Sequence, residues 1–347
     1  MNDDVLQRNI RQTVASLGLS LKGRTVLTEA ASGPYCVTPL IAAMAGAHVI
    51  AFGKSTRHGS VEEVFAHLEQ RLRACGVDDC TLTDSLTPEV IGAADIITNS
   101  GHLRPLDADK LRHTKPGAVV SLMYEAWELR DSDVDIKACK NRKIPVGGLN
   151  ERHPAVGVFE YLGDMAAVLI ERGGLTVRDE KIVLLCNNEF GPYIAKTLCA
   201  KGVRLGVIAT QTHRERYPAD AAWLSDTPGR LNDHDFRDAS AVVFTAYPFD
   251  QVWISPHGPY PVTFFQEHFP RAVIMRFAGD IDTAALDTAG IRYFPQDVTS
   301  GHMGVLPSDV GYEPVIRLQA GGLRVGQAML EDSFDVNGQS IGGIITT

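Results

Sequence analysis

The sequence predicts an α/β protein built from two similar parallel-sheet domains in tandem, with a cleft between them. Two observations carry this. Short apolar runs alternate with runs of helical spacing, which is the pattern of a parallel sheet covered on both faces. The alternation stops after Gly148, restarts at "EKIVLLC", and the second series matches the first in order. A chain of 347 residues suits two domains better than one core.

The first series opens with a helical run, 5–19, that places Val5, Ile10, Val14 and Leu17 on one face. "LKGRTVLTEA" supplies a strand, "PLIAAMAG" a helix and "AHVIAFG" a second strand. "SVEEVFAHLEQRLRACG" is a helix with Ser60 as its cap and Gly76 as its stop. Strands follow at "ADIITNS", "GAVVSLM" and "IPVGGL", separated by short helical stretches. Residues 156–174 read as a long connecting helix.

In the second series, "KIVLLCNNEFGPY" matches "RTVLTEAASGPY", and "LGVIATQTHR" matches "HVIAFGKSTR". "ASAVVFTA" matches "AADIITNS", and "FPRAVIMRF" matches "KPGAVVSLM". Four matches in one order indicate a repeated unit. A third Gly-Pro-Tyr at Gly258 lacks these flanks and reads as an ordinary turn. The expected organisation is an N-terminal helix at 1–21, a cofactor-side domain at 22–155 and a connector helix at 156–176. A substrate-side domain at 177–315 and a C-terminal helix and tail at 316–347 complete it. The tail is Gly-rich and polar from Ser333, a composition that favours disorder.

Composition excludes several classes. With 44% apolar and 22% charged residues, the chain has the balance of a globular protein. It has no apolar run long enough to span a membrane, and no signal-peptide pattern at the N-terminus, so a cytoplasmic protein is expected. A net charge of −9 without a basic stripe argues against nucleic acid. The six cysteines form no metal-like spacing, and the alternating Asp131, Asp133 and Asp135 lack the rest of a calcium loop, so no metal is expected.

Ligands of open parallel sheets bind at the carboxyl ends of the strands. One such end carries "EAASGPYCVTP", where small residues up to Ser32 and Gly33 precede a helix whose N-terminus would face an anion. Pro34 removes one backbone donor there. Another carries Lys54, Ser55, Thr56 and Arg57, two cations and two hydroxyls that suit a phosphate monoester. Ser100 and Gly101 end a third strand and leave room for a flat ring or a ribose.

The second domain offers amides and an acid at its first turn, Asn187, Asn188 and Glu189, beside Tyr193. These suit a polar substrate and would repel a pyrophosphate. Tyr247 and Trp253 lie in an aromatic stretch that suits a substrate pocket or a contact between protomers. His302 stands between glycine and methionine in a long polar loop, "DVTSGHMGVLPSDVGYEP", and suits general acid–base work.

The stretch "ADIITNSGHLRPLDADKLRHTKPGAVVSLM" resembles the nicotinamide-cofactor domain of the D-2-hydroxyacid dehydrogenase and S-adenosylhomocysteine hydrolase type, over residues 22–153. The resemblance implies two tandem Rossmann-like domains and a dehydrogenase or reductase. Its substrate would be a small polar carbonyl, hydroxyl or imine compound; the connecting helix and the aromatic stretch, independently, make a homodimer the expected form. The resemblance implies NADP or NAD as cofactor, with NADP favoured by the basic "GKSTR" end. It also places Arg130, Glu151 and His153 as candidates for the family's catalytic residues. The Gly-x-Gly-x-x-Gly fingerprint is absent, so two alternatives stand: a transferase or lyase without nicotinamide, and a non-catalytic ligand-binding protein.

Overall fold

The computed structural model describes residues 2–56, 59–226, 231 and 235–346. The chain divides into two units, Met1–Val158 with Gly311–Thr347, and Phe159–Val310.

The first unit opens with α1 (Asp3–Ser16), then alternates β1 (Thr25–Glu29), α2 (Val37–Met44), β2 (His48–Phe52), α3 (Val61–Ala74) and β3 (Cys80–Thr83). It continues through α4 (Pro88–Ala93), β4 (Ile96–Thr98), α5 (Ala108–Leu111), β5 (Val119–Ser121), α6 (Ile136–Arg142) and β6 (Val146–Leu149). The six strands are parallel, in the order β3-β2-β1-β4-β5-β6. The chain therefore builds outward from β1 in one direction, then crosses back to β4 and builds in the other. A crevice opens where the two directions part, at the carboxyl ends of β1 and β4.

Burial explains the sequence pattern. The last four residues of β1 and all residues of β4, β5 and β6 are buried, so each strand has an apolar stretch, Val26–Leu27, Ile96–Ile97, Val119–Val120 and Val146, without polar alternation. Their buried polar groups, Thr28, Glu29, Thr98 and Ser121, fall at the carboxyl ends. α3 shows the complementary rule. Val61, Val64, Leu68 and Leu72 bury one stripe, while the Ser60 hydroxyl accepts from Glu63 N–H and Glu63 accepts from Ser60 N–H.

The second unit begins with α7 (Leu162–Arg172), followed by β7 (Lys181–Cys186), α8 (Phe190–Ala200), β8 (Arg204–Ala209), β9 (Ala222–Ser225) and β10 (Ala241–Thr245). A small three-stranded sheet comes from β11 (Val252–Ser255), β12 (Tyr260–Pro261) and β14 (Asp280–Ile281). α9 (Val262–His268), β13 (Val273–Ala278), α10 (Thr283–Thr288), β15 (Tyr293–Phe294) and α11 (Pro307–Val310) complete it. Its main sheet runs β9-β8-β7-β10-β13-β15. Counted from the first strand of each unit, this is the order of the first sheet, so the repeat extends to topology.

Three segments differ from expectation. The run read as a connector is α7, and its Leu162, Met165, Leu169 and Ile170 are buried in the second unit's own core. An apolar stripe of that width has to be covered, and it is covered within the unit. The last helix, α12 (Tyr312–Glu331), belongs to the first unit, where Val315, Ile316 and Leu323 join the core with Leu40 and Ile41 of α2. The tail is ordered as β16 (Asp335–Val336), β17 (Gln339–Ser340) and β18 (Gly342–Ile344). β18 pairs antiparallel with β6 and covers an otherwise open sheet edge, while Ile341 is fully buried. Among the described residues no helix is long and apolar enough to cross a membrane.

The shared Gly-Pro-Tyr marks the same turn in both units, but its glycines do different work. Gly33 starts a 3₁₀ turn at φ +61°, with open space where a Cβ would stand. Gly191 lies inside α8, and a Cβ there would collide with the Cys186 sulfur and the Tyr217 hydroxyl. Gly33→Ala should cost about 1–2 kcal/mol, the ordinary penalty of a left-handed residue. Gly191→Ala should cost about 1–3 kcal/mol through overpacking. Urea unfolding and the melting temperature check both. A Gly191→Ala protein as stable as the parent would show that α8 does not need its close approach to β7.

Candidate functional site

At the first unit's crevice, the Thr98 hydroxyl donates to Thr28 at 2.9 Å and lies 2.7 Å from the Ser100 hydroxyl, all three buried. Glu29 ends β1 with 8% of its surface exposed, and its Oε2 accepts from His102 N–H at 3.0 Å. Ala30 and Ala31 are buried, Ser32 and Gly33 are exposed, and the Gly33–Cys36 turn leads into α2. After β4, Asn99 is 1% exposed; its Oδ1 accepts from Met123 N–H at 2.9 Å, and its Nδ2 has no partner. Gly101 is exposed beside Glu29.

At the end of β2, Lys54, Ser55 and Thr56 are exposed. The Ser55 hydroxyl accepts from Val61 N–H at 3.0 Å, so it helps start α3 as well as facing solvent. Thr56 and Gly59 exchange backbone hydrogen bonds in a tight turn. Arg57 lies outside the described residues.

The ends of β5 and β6 carry a denser polar array. The Tyr124 hydroxyl donates to Asp133 at 2.7 Å, Arg104 lies 3.4 Å from the same carboxylate, and Arg130 lies 4.0 Å from it. Arg104 is a residue that sequence reasoning missed, because it stands 26 positions before Arg130 and only the fold brings both to Asp133. Glu125 accepts from Glu151 N–H at 3.0 Å and from the Trp127 indole, with Arg152 at 3.6 Å. Glu128 and Glu151 belong to one carboxyl cluster with Glu125, and the Glu128 side chain accepts from Glu125 N–H. Burial, then the charge of Glu125, pushes Glu128 up to about 7. Burial and the neighbouring Glu128 and Glu125 charges raise Glu151 as well.

Several candidates are committed elsewhere. His153 is 2% exposed, its Nδ1 accepts from Ala155 N–H and its Nε2 meets the Val336 carbonyl, so both ring nitrogens serve the backbone. Glu151 is buried within the carboxyl cluster instead of lining an open face. In the second unit, Asn187 accepts from Tyr247 N–H at 2.8 Å and donates to Tyr247 O at 3.1 Å. Asn188 donates to the Thr245 hydroxyl and accepts from Phe190 N–H. These amides stitch the end of β7 to the end of β10. Glu189 pairs with Arg216 at 2.5 Å, and Arg216 also lies over the Tyr193 ring.

Trp253 donates to the Pro248 carbonyl at 2.8 Å, while Tyr247 is 44% exposed. His302 is half-buried with Nδ1 3.0 Å from the Ser300 carbonyl. Its loop is anchored by Asp280, which accepts from the Ser300 hydroxyl and Gly301 N–H and is ion-paired with buried Arg276. The signal for this anchor is a lone arginine inside the apolar run "RAVIMRFAGD". Among the described residues no group of three His, Cys, Asp or Glu is placed to hold a metal.

No family model matches the chain, and no curated protein matches it. Solved structures do. The dipicolinate synthase of Bacillus subtilis aligns with a TM-score of 0.57 at 14% identity, covering 91% of this chain and 99% of that one. The dipicolinate synthase of Bacillus halodurans aligns at 0.55 and 12%, covering 86% and 99%. D-lactate dehydrogenase with NAD+ from Lactobacillus jensenii aligns at 0.51 and 12%, covering 91% and 99%. At this identity the likeness defines the fold. The chain has a two-unit Rossmann-type fold of the kind those proteins have, as its sequence led one to expect.

The carboxyl pair gives a pH dependence with a fixed sign. Both groups hold protons more tightly folded than unfolded, so the folded state binds the extra protons. The stability they contribute is fully present below the ordinary carboxylate range and is lost as pH rises through about 7. The melting temperature should therefore fall between pH 5 and 8, and Glu151→Gln should flatten that slope. An unchanged slope would show that burial does not raise the Glu151 carboxyl.

Proposed function

We propose that the chain is a nicotinamide-dinucleotide oxidoreductase that holds its cofactor on the first unit and prefers NADP. The observation that supports this is the point where strand order reverses between β1 and β4, the place at which sheets of this order bind ligands, with the buried Asn99 Nδ2 left without a partner there. The likeness in fold to D-lactate dehydrogenase with NAD+ supports the class. The donor set fits the group in part. Ser32 and Gly33 precede the α2 N-terminus, and Ser100 and Gly101 leave the end of β4 small. Lys54 is exposed and without an ion pair among the described residues, and with Thr56 it would hold a 2′-phosphate.

The bound nicotinamide would supply hydride chemistry. The chain's own groups would orient and protonate a small polar carbonyl, hydroxyl or imine substrate. Arg130 and Arg104, both steered by Asp133, suit a substrate carboxylate. His302, held through Nδ1, is the second unit's candidate for proton transfer.

One observation favours a second reading. A carboxylate stands at the first turn of each unit, Glu29 and Glu189, where a pyrophosphate would be repelled. A transferase or lyase that uses no nicotinamide would carry no such conflict.

Titration with NADPH and with NADH, followed by nucleotide fluorescence, separates the readings. NADPH should bind the more tightly. Lys54→Ala should weaken NADPH about tenfold and NADH little, the scale of one lost charge-assisted contact. Binding of neither nucleotide at millimolar concentration would sink the proposal.

A further inference from the structure

A nine-tenths buried carboxylate ordinarily has a cation or several donors around it. Glu29 has one donor, His102 N–H on Oε2, and no ion pair among the described residues. Only three buried side-chain polar atoms lack a partner among those residues. Two of them, Asn99 Nδ2 and His102 Nδ1, belong to the loop after β4. Each unmet buried group costs roughly 1–3 kcal/mol. Their gathering at one strand end marks a place built for something else.

Register sets Glu29 beside Asn99. Val26 pairs with Ile96 and Leu27 with Ile97, and the next pair, Thr28 and Thr98, share a hydrogen bond through their side chains. Glu29 and Asn99 follow on neighbouring strand ends, about 5 Å apart in backbone spacing. Gly101 keeps the space beside them open. A Cβ there would stand 3.2 Å from Glu29 Oε2 and 3.8 Å from an Arg104 nitrogen.

The ligand must offer hydrogen to Glu29 and a lone pair to Asn99. A phosphate offers lone pairs alone and is repelled by the carboxylate. An ammonium group offers hydrogens alone. A hydroxyl offers both, and a vicinal diol offers them from two adjacent oxygens that can span neighbouring strand ends, one donating to the carboxylate while the other accepts from the amide. We infer that Glu29 and Asn99 grip the vicinal diol of a sugar ring. Where the proposed cofactor holds, that diol is the nicotinamide ribose, since the other ribose of NADP carries the 2′-phosphate. This last step rests on the functional proposal; the diol does not.

The test is calorimetry with NADPH, nicotinamide riboside, its 2′,3′-dideoxy counterpart and methyl β-D-ribofuranoside. The proteins are the parent, Glu29→Gln and Asn99→Asp, the latter keeping the acceptor for Met123. Each variant should weaken NADPH at least fivefold, and the parent should prefer the riboside over its dideoxy form by a similar factor. NADPH bound equally or more tightly by Glu29→Gln would put phosphate at this place and overturn the inference, leaving the cofactor assignment intact. A riboside or ribofuranoside bound through Glu29, with no NADPH binding, would uphold the diol and remove the cofactor. Binding of none of the four would overturn both. If a variant fails to fold, the parent decides, because equal affinity for riboside and dideoxyriboside overturns the inference.

Discussion

Burial of both faces of a parallel sheet is the constraint on which this protein's organisation depends. In each main sheet the central strands are buried along nearly their whole length, so what polar side chains they carry are engaged within the sheet or stand at its carboxyl end. Polar function is confined to the residues that follow each strand, where the sheet ends and helices have not yet begun. Glu29, Lys54, Asn99, Tyr124 and Glu151 all stand at or just beyond the carboxyl end of a strand in the first unit. Their chemical types differ, but their location follows from one packing rule.

That rule also explains what the sequence could disclose. Apolar runs between helical runs are strong local signals, so the strands of both main sheets and their repeated order were legible. Pairing of distant segments was not. The tail from Ser333 is polar and glycine-rich, and nothing local says that β18 will close the edge of β6. α12 carries buried residues around much of its circumference, which announces a covered helix without saying what covers it. Among site residues, small groups beside a strand were legible at Ser100 and Gly101. Glu29 and Asn99 were passed over, because their interest lies in partners they lack. The engagement of the amides Asn187 and Asn188 was hidden for the opposite reason, since a sequence cannot show that a polar side chain already has partners.

The contrast between the two first turns bears on function more than their shared tripeptide does. In the second unit, Asn187 bonds both the N–H and the carbonyl of Tyr247, Asn188 bonds Thr245, and Glu189 has Arg216. That turn is closed upon itself, and a ligand entering it would have to break contacts already made. In the first unit, a carboxylate and an amide are left short of partners at the same topological position. The two corresponding turns therefore differ in how far their polar groups are already engaged.

An unsatisfied turn carries a cost, and the surrounding structure shows how it is sustained. Thr28, Thr98 and Ser100 form a buried hydroxyl chain across β1 and β4 immediately beneath it. Asn99 is fixed through Met123, and Glu29 through the His102 backbone. The groups left open are therefore held in place by contacts on their other atoms. For the diol site inferred above, this means that part of the ordering cost of binding would already be met in the folded chain.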